Sequence, residues 1–194
     1  MTDEETRSIV EFIFEAGLLK RVPRSGWSVL GIASPESVAD HSFRCAVIGY
    51  LLAHMEDVSV ERTVLMTLLG DIHEARITDL HKMAQRYIEA EPAEDASHSD
   101  QIDPLPDKVR GEMSGLREEY RIQQSPESIV ARDSDILECL IQAKEYLAHG
   151  HTSASLFMEK APAHLRTDSA KKLWEMAREI DVNEWWSRIG EFTR

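Results

Sequence analysis

The chain has 194 residues, 42% of them hydrophobic, and a formal net charge of −13. That length suits one domain with a sizeable core, the acidity disfavours a nucleic-acid polymer as partner because such binders present a basic face, and no apolar run approaches the ~20 residues of a membrane span. The acidic opening Met1-Thr2-Asp3-Glu4-Glu5 is unlike a signal peptide, so the expected setting is the cytoplasm, where Cys45 and Cys139, each inside an apolar helical pattern, read as buried free thiols.

Taken in chain order, nearly every segment has helical periodicity, and the expected class is all-α. Residues 4–19 place Val10, Ile13, Phe14, Gly17 and Leu18 on one face. A loop follows over Arg21–Trp27. Ser34-Pro35-Glu36 then supplies an N-cap, a first-position proline and an early carboxylate for a helix to about Met55. Its apolar stripe is Ala39, Phe43, Ala46, Val47, Tyr50 and Leu51. Ser59 caps a helix that continues through Gly70 to about Arg76, and a shorter helix covers 80–90. Residues 91–106 hold three prolines, five acidic residues and no periodicity, which predicts a mobile surface loop. Helix resumes at 107–120. Ser125-Pro126-Glu127 opens another to about Ala148, with Ile129, Ile136, Leu137, Leu140 and Leu147 on its core face. A helix capped by Asp168 and a turn at Trp185-Trp186 complete the chain. No domain boundary or internal repeat is visible.

Three polar positions fall where helices should be buried: His41, Asp71 and Asp135. A buried carboxylate needs a partner, hydrogen bonds or a metal. Imidazole together with carboxylate suits a divalent first-row metal, and a helical bundle can bring ligands from separate helices to one point. Each residue also has a plainer reading, as a satisfied polar group or as part of a solvated face. The pair Asp133 and Asp135 is an example.

Four stretches taken together carry a family likeness: Gly17 to Trp27 (Gly-Leu-Leu-Lys-Arg-Val-Pro-Arg-Ser-Gly-Trp), Pro35-Glu36-Ser37-Val38-Ala39-Asp40-His41-Ser42, Gly70-Asp71-Ile72-His73-Glu74 through Asp79, and Asp135 through Gln142-Ala143-Lys144-Glu145-Tyr146. The chain resembles the HD-domain phosphohydrolases of the 5'-deoxynucleotidase group from about Gly17 to about Gly150. The resemblance implies a compact multi-helix HD-domain bundle over 1–194 and a divalent metal (Co, Mn, Zn, Ni, Fe or Mg) held by His41, Asp71 and Asp135. It implies Glu74 and Asp79 as catalytic residues, with Glu74 in proton transfer and Asp79 orienting the attacking water. Asp71 and Glu74, three apart, would share a helix face. The expected substrate is a small nucleotide, a deoxyribonucleoside 5'-monophosphate, and the expected assembly a homodimer in which Trp185, Trp186 and Phe192 are candidate contacts.

The family's His-Asp doublet reads Gly70-Asp71 here, so one expected ligand has no side chain. His73 lies three residues on and could lean toward that position. In the first loop, Arg21 matches the family's phosphate-binding arginine by its place before Pro23, Arg24 is a second candidate, and Trp27 is either a pocket aromatic or core beneath the loop. Two other readings remain open at this point: a nucleotide-binding or regulatory protein that has lost turnover, and an HD phosphohydrolase for other nucleotides.

Overall fold

A computed structural model describes residues 1–189. The described residues form helices and turns; their only β-type pairing is an isolated bridge between Pro23 and Ser37. Helix α1 (Asp3–Ala16) begins with a reciprocal cap, in which the Thr2 hydroxyl accepts from the Glu5 amide at 3.1 Å and the Glu5 carboxylate accepts from the Thr2 amide at 2.6 Å. Its inward face is Ile9, Phe12 and Ala16, packed on Leu19, Val22, Val38, Ile72 and Ile102. The stripe expected from the sequence, Val10, Ile13 and Phe14, is exposed. The helix has two apolar sets at helical spacing, and the one that leads into buried Leu19 and Val22 is the one covered.

A 3-10 turn over Gly17–Arg21 leads to the short helix α2 (Ser25–Val29), which buries Trp27. Helix α3 (Val38–Met55) starts at Ser37 rather than Ser34. The Ser37 hydroxyl accepts from the Asp40 amide, and the Asp40 carboxylate accepts from the Ser37 amide. The three preceding residues lie outside any helix, with the Arg24 amide donating to the Glu36 carbonyl and the Val38 amide to the Val22 carbonyl. The buried face of α3 is Val38, His41, Ser42, Cys45, Ile48, Gly49, Leu52 and Ala53. The expected stripe of Phe43, Val47, Tyr50 and Leu51 faces outward. Hydrophobicity alone misses this face because three of its members are polar or lack a side chain.

Helix α4 (Val60–Leu69) is capped by Ser59 and ends at Gly70, which keeps helical angles (φ −55°, ψ −43°). The chain tightens there into i to i+3 hydrogen bonds over Leu69–Ile72 and Asp71–Glu74 before α5 (Glu74–Ile77). Thr78 closes α5 at φ 62°, ψ 171°, a conformation costly for a β-branched residue. The helix expected at 80–90 is reduced to a 3-10 turn at Ala84–Arg86.

The expected mobile loop at 91–106 is a correction. Helix α6 (Ala90–Ile102) occupies most of it and buries Ser97, His98, Gln101 and Ile102. Pro92 is at the third helical position, whose amide would have no intrahelical acceptor. The covered face is largely polar, held by Ser97 Oγ donating to the His73 carbonyl and Gln101 Nε2 donating to the Ile72 carbonyl. An apolar-period search cannot see such a helix.

Helix α7 (Asp107–Ile122) leads to α8 (Pro126–Ala148), which opens on Ser125 with Pro126 at its start. Helix α8 runs through the centre and packs on α3, α4 and α7, and on the later α9 (Ser155–Lys160) and α10 (Asp168–Glu179). Leu52, Leu137, Leu140 and Trp174 form its main apolar contact. Buried Asp133 on α8 accepts from the Arg166 amide, and from the amide and hydroxyl of Thr167 at 2.7 Å each. It thereby fixes the start of α10, whose cap is Thr167 rather than Asp168. The short α11 (Glu184–Ser187) follows.

Candidate active site

The three candidate ligands come from three elements. His41 is in the first turns of α3, Asp71 in the tightened turn after α4, and Asp135 midway along α8. His41 Nε2 lies 3.6 Å from Asp71 Oδ2 and 3.2 Å from Asp135 Oδ1. The imidazole is almost wholly buried, while the two carboxylates keep partial access to solvent. The other ring nitrogen, Nδ1, bonds the fully buried Glu138 carboxylate. Glu138 is clasped by Arg44, whose Nε and Nη2 donate to Oε1 at 2.9 and 2.7 Å, and Arg44 also donates to Glu145 and Gln142. This fixes the His41 ring plane and directs Nε2 at the two aspartates.

Around that centre stand Glu74, Asp79 and Arg24. Glu74 is buried, and its Oε2 has no hydrogen-bond partner among the described residues. Burial and the adjacent Asp71 carboxylate push Glu74 up to about 10, against the pull of Arg24. Asp79 accepts from the Ser25 amide at 2.7 Å, in a position set by the positive φ of Thr78. Arg24 Nη1 lies 3.5 Å from Asp71, 3.9 Å from Glu74 and 3.8 Å from Asp79, so one guanidinium faces all three acids. Burial opposes ionisation of His41, yet Cys45 and Asp135 raise its proton affinity well above the ordinary value. Asp135, despite its burial, is held below the usual carboxylate range by His41 and Arg132. The two shifts are reciprocal, because each group stabilises the charged form of the other.

The donor set fits a divalent cation. One imidazole nitrogen and several carboxylate oxygens converge, and Glu74 contributes a buried oxygen without a partner. Gly70 adds nothing to it and instead lines a small cavity with Met66, His98 and Tyr120. The His73 ring interacts with the backbone of Gly70. Its Nδ1 is 3.2 Å from Arg117 Nη1 and its Nε2 is 3.9 Å from Glu94, on the side of α6 and α7.

Of the loop candidates, Arg24 is at the centre and Arg21 is exposed away from it. Trp27 is 2% exposed, donates to Glu36 at 2.9 Å and packs against Tyr146 and Phe157, which places it under the loop. Trp185 and Trp186 are exposed, and Phe192 lies outside the described residues. Sequence reasoning missed Glu138 and Arg44. Spacing could have found Glu138, which is three residues after Asp135 on a shared helix face.

Comparisons with known proteins agree with this architecture. A family model described as HD domain matches residues 16–177. The chain is 33% identical to 5'-deoxynucleotidase HDDC2 of Homo sapiens over 141 residues, covering 72% of this chain and 69% of that protein. It is 34% identical to 5'-deoxynucleotidase HDDC2 of Danio rerio over 152 residues, covering 72% and 70%. Among solved structures, a conserved hypothetical protein from Pyrococcus furiosus superposes with a TM-score of 0.75 at 33% identity, covering 88% of this chain and 99% of that one. With its helical bundle and its convergent His41, Asp71 and Asp135, the chain belongs to the HD-domain family, among relatives named 5'-deoxynucleotidases.

Proposed function

We propose that the protein is a metal-dependent phosphomonoesterase acting on deoxyribonucleoside 5'-monophosphates. The observation that carries this reading is the convergence of His41 Nε2 on Asp71 and Asp135, beside the unpartnered Glu74 oxygen. A divalent cation bound there supplies Lewis acidity, polarising a phosphoryl oxygen and lowering the pKa of water. His41, Asp71 and Asp135 hold it, and Glu138 keeps the imidazole in the tautomer that leaves Nε2 free to donate its lone pair. Arg24 is the phosphate partner, because a planar guanidinium already facing the acids can bind phosphoryl oxygens with two parallel bonds. Glu74 receives or returns a proton at Oε2, and Asp79 orients the water through its second oxygen while the Ser25 amide holds the carboxylate.

The names of the relatives support the substrate class. The test is phosphate release from a panel of deoxy- and ribonucleoside mono-, di- and triphosphates, with Co²⁺ or Mn²⁺ and after chelation. Release from deoxynucleoside monophosphates that depends on metal is expected; no release from any member by this chain, with release by Gly70→His, would identify a disabled relative. A Cβ at position 70 would come within 2.9 Å of the Met66 carbonyl oxygen, so the end of α4 must give before an imidazole is seated there. Gly70 also motivates a second reading, nucleotide binding without turnover, for which calorimetry would record nucleotide uptake with no metal requirement.

A homodimer belongs to the same proposal. Phe43, Val47, Tyr50 and Leu51 leave the outer side of α3 apolar and uncovered, and sedimentation analysis of the chain and of Phe43→Glu tests whether a second copy covers it.

A further inference from the structure

We infer that Arg132 is a positioning residue for the metal centre, tying down one oxygen of Asp135 so that the other is the one presented beside His41. The inference rests on the reading that His41, Asp71 and Asp135 hold a divalent ion. The two oxygens of Asp135 face different neighbours. Oδ1 lies 3.2 Å from His41 Nε2. Oδ2 accepts from Arg132 Nη1 at 2.5 Å, and the Tyr120 hydroxyl on α7 stands 3.5 Å from the same oxygen. A carboxylate with one oxygen held in this way resists turning both to a single ion. Asp135 is thereby set to donate through Oδ1, and its tied oxygen is satisfied although the group is mostly buried.

The helix that carries the pair does not explain it. Arg132 precedes Asp135 by three residues on α8, and a base placed before an acid is the less favourable order for pairs along a helix. Its charge also works against the centre, because an arginine beside a ligand repels a cation bound there. What Arg132 contributes is direction, as Glu138 does for His41. The Arg132 side chain is 39% exposed and that of Asp135 is 23% exposed, so the guanidinium clasps the ligand from the rim. Asp133, the next residue, turns instead to the start of α10 and takes no part. Removing the charge of Arg132 would strengthen cation binding, whereas removing its hold on Oδ2 would weaken it. The sign of the change therefore separates a positioning role from a purely electrostatic one.

The test uses the full chain stripped of metal and titrated with Co²⁺ against a chelating indicator. Arg132→Ala should bind cobalt about 10–100-fold more weakly than the unaltered chain. Arg132→Lys, which keeps the charge and one donor, should recover most of that loss. The visible bands of bound Co²⁺ report its coordination. They should shift in Arg132→Ala, because Asp135 is no longer confined to one oxygen, and return in Arg132→Lys, with circular dichroism showing that each variant is folded. Cobalt affinity that is unchanged or higher in Arg132→Ala, whatever its urea midpoint, or a loss that Arg132→Lys shares in full, would overturn the assignment and leave the metal reading intact. No cobalt uptake by the unaltered chain would remove the metal reading and the assignment with it. Phosphate release is read in parallel: the expected affinities without release sustain the role of Arg132 and remove the catalytic reading alone.

Discussion

His41 bonds Glu138 through Nδ1, and Glu138 lies one helical turn beyond Asp135 on the same helix. Helix α8 therefore supplies both a group facing the cation position and the group that orients another ligand for it. Replacing Glu138 by Gln preserves shape and one acceptor but removes the charge that stabilises a cation-bound imidazole. Metal affinity is expected to fall about 10–100-fold, with the helical circular dichroism unchanged. Glu138→Ala leaves buried His41 and half-buried Arg44 without their common partner, and is expected to lower unfolding free energy by about 3 kcal/mol. Denaturant titration reads the second effect and metal competition the first. Unchanged metal affinity in Glu138→Gln would contradict the orienting role.

Arg24 and Arg21 should separate cleanly. Arg24→Ala is expected to lower kcat/KM on a deoxynucleoside monophosphate by about 10–100-fold, equivalent to loss of charge-assisted hydrogen bonds of roughly 1.5–3 kcal/mol. Arg21→Ala, on an exposed side chain, should leave it essentially unchanged. Steady-state kinetics on the two variants decides between them, and equal losses would refute the placement of phosphate at Arg24.

Asp133 and Asp135 are two residues apart and do different work. Asp133 holds the start of α10 through two backbone amides and the Thr167 hydroxyl. Asp133→Asn keeps one acceptor oxygen and turns the other into a donor facing donors, so a loss of about 2 kcal/mol is expected. Its folded fraction should still bind metal with the affinity of the unaltered chain. Thermal melts with parallel metal titration test this.

Glu36 predicts a dependence on pH. Burial and the nearby Glu138 charge raise it from 4.5 to about 7, although Trp27 donates to it. Because the folded value exceeds the unfolded one, the stability this group contributes is complete below pH 4.5 and is lost as pH rises through 7. Glu36→Gln imitates the neutral acid at every pH. Its stability relative to the unaltered chain should therefore improve between pH 4.5 and pH 7 and beyond, by up to about 3 kcal/mol from the size of the shift. Urea midpoints across that range test the sign, and a flat difference would show that Glu36 is not held neutral.

The sequence carried the local signals well where they were chemical. Ser125-Pro126 opens α8, Ser59 caps α4, and the order His41, Asp71, Asp135 through family likeness points to residues that do meet. It carried them badly where a helix hides polar atoms. The buried face of α6 is Ser97, His98 and Gln101 with one isoleucine, and that of α3 includes His41, Ser42 and Gly49. On both helices hydrophobic period points to the wrong face or to no helix at all.

By itself, then, the order of residues determined where helices begin and which side chains can do chemistry, because caps, prolines and reactive groups act within a turn or two of chain. Only the tertiary structure decided which side of α1 and α3 turns inward and that Glu138 backs His41. Those outcomes depend on what the opposing helix offers. A buried polar group is stable only when a partner from another part of the chain satisfies it, and no local pattern records that partner.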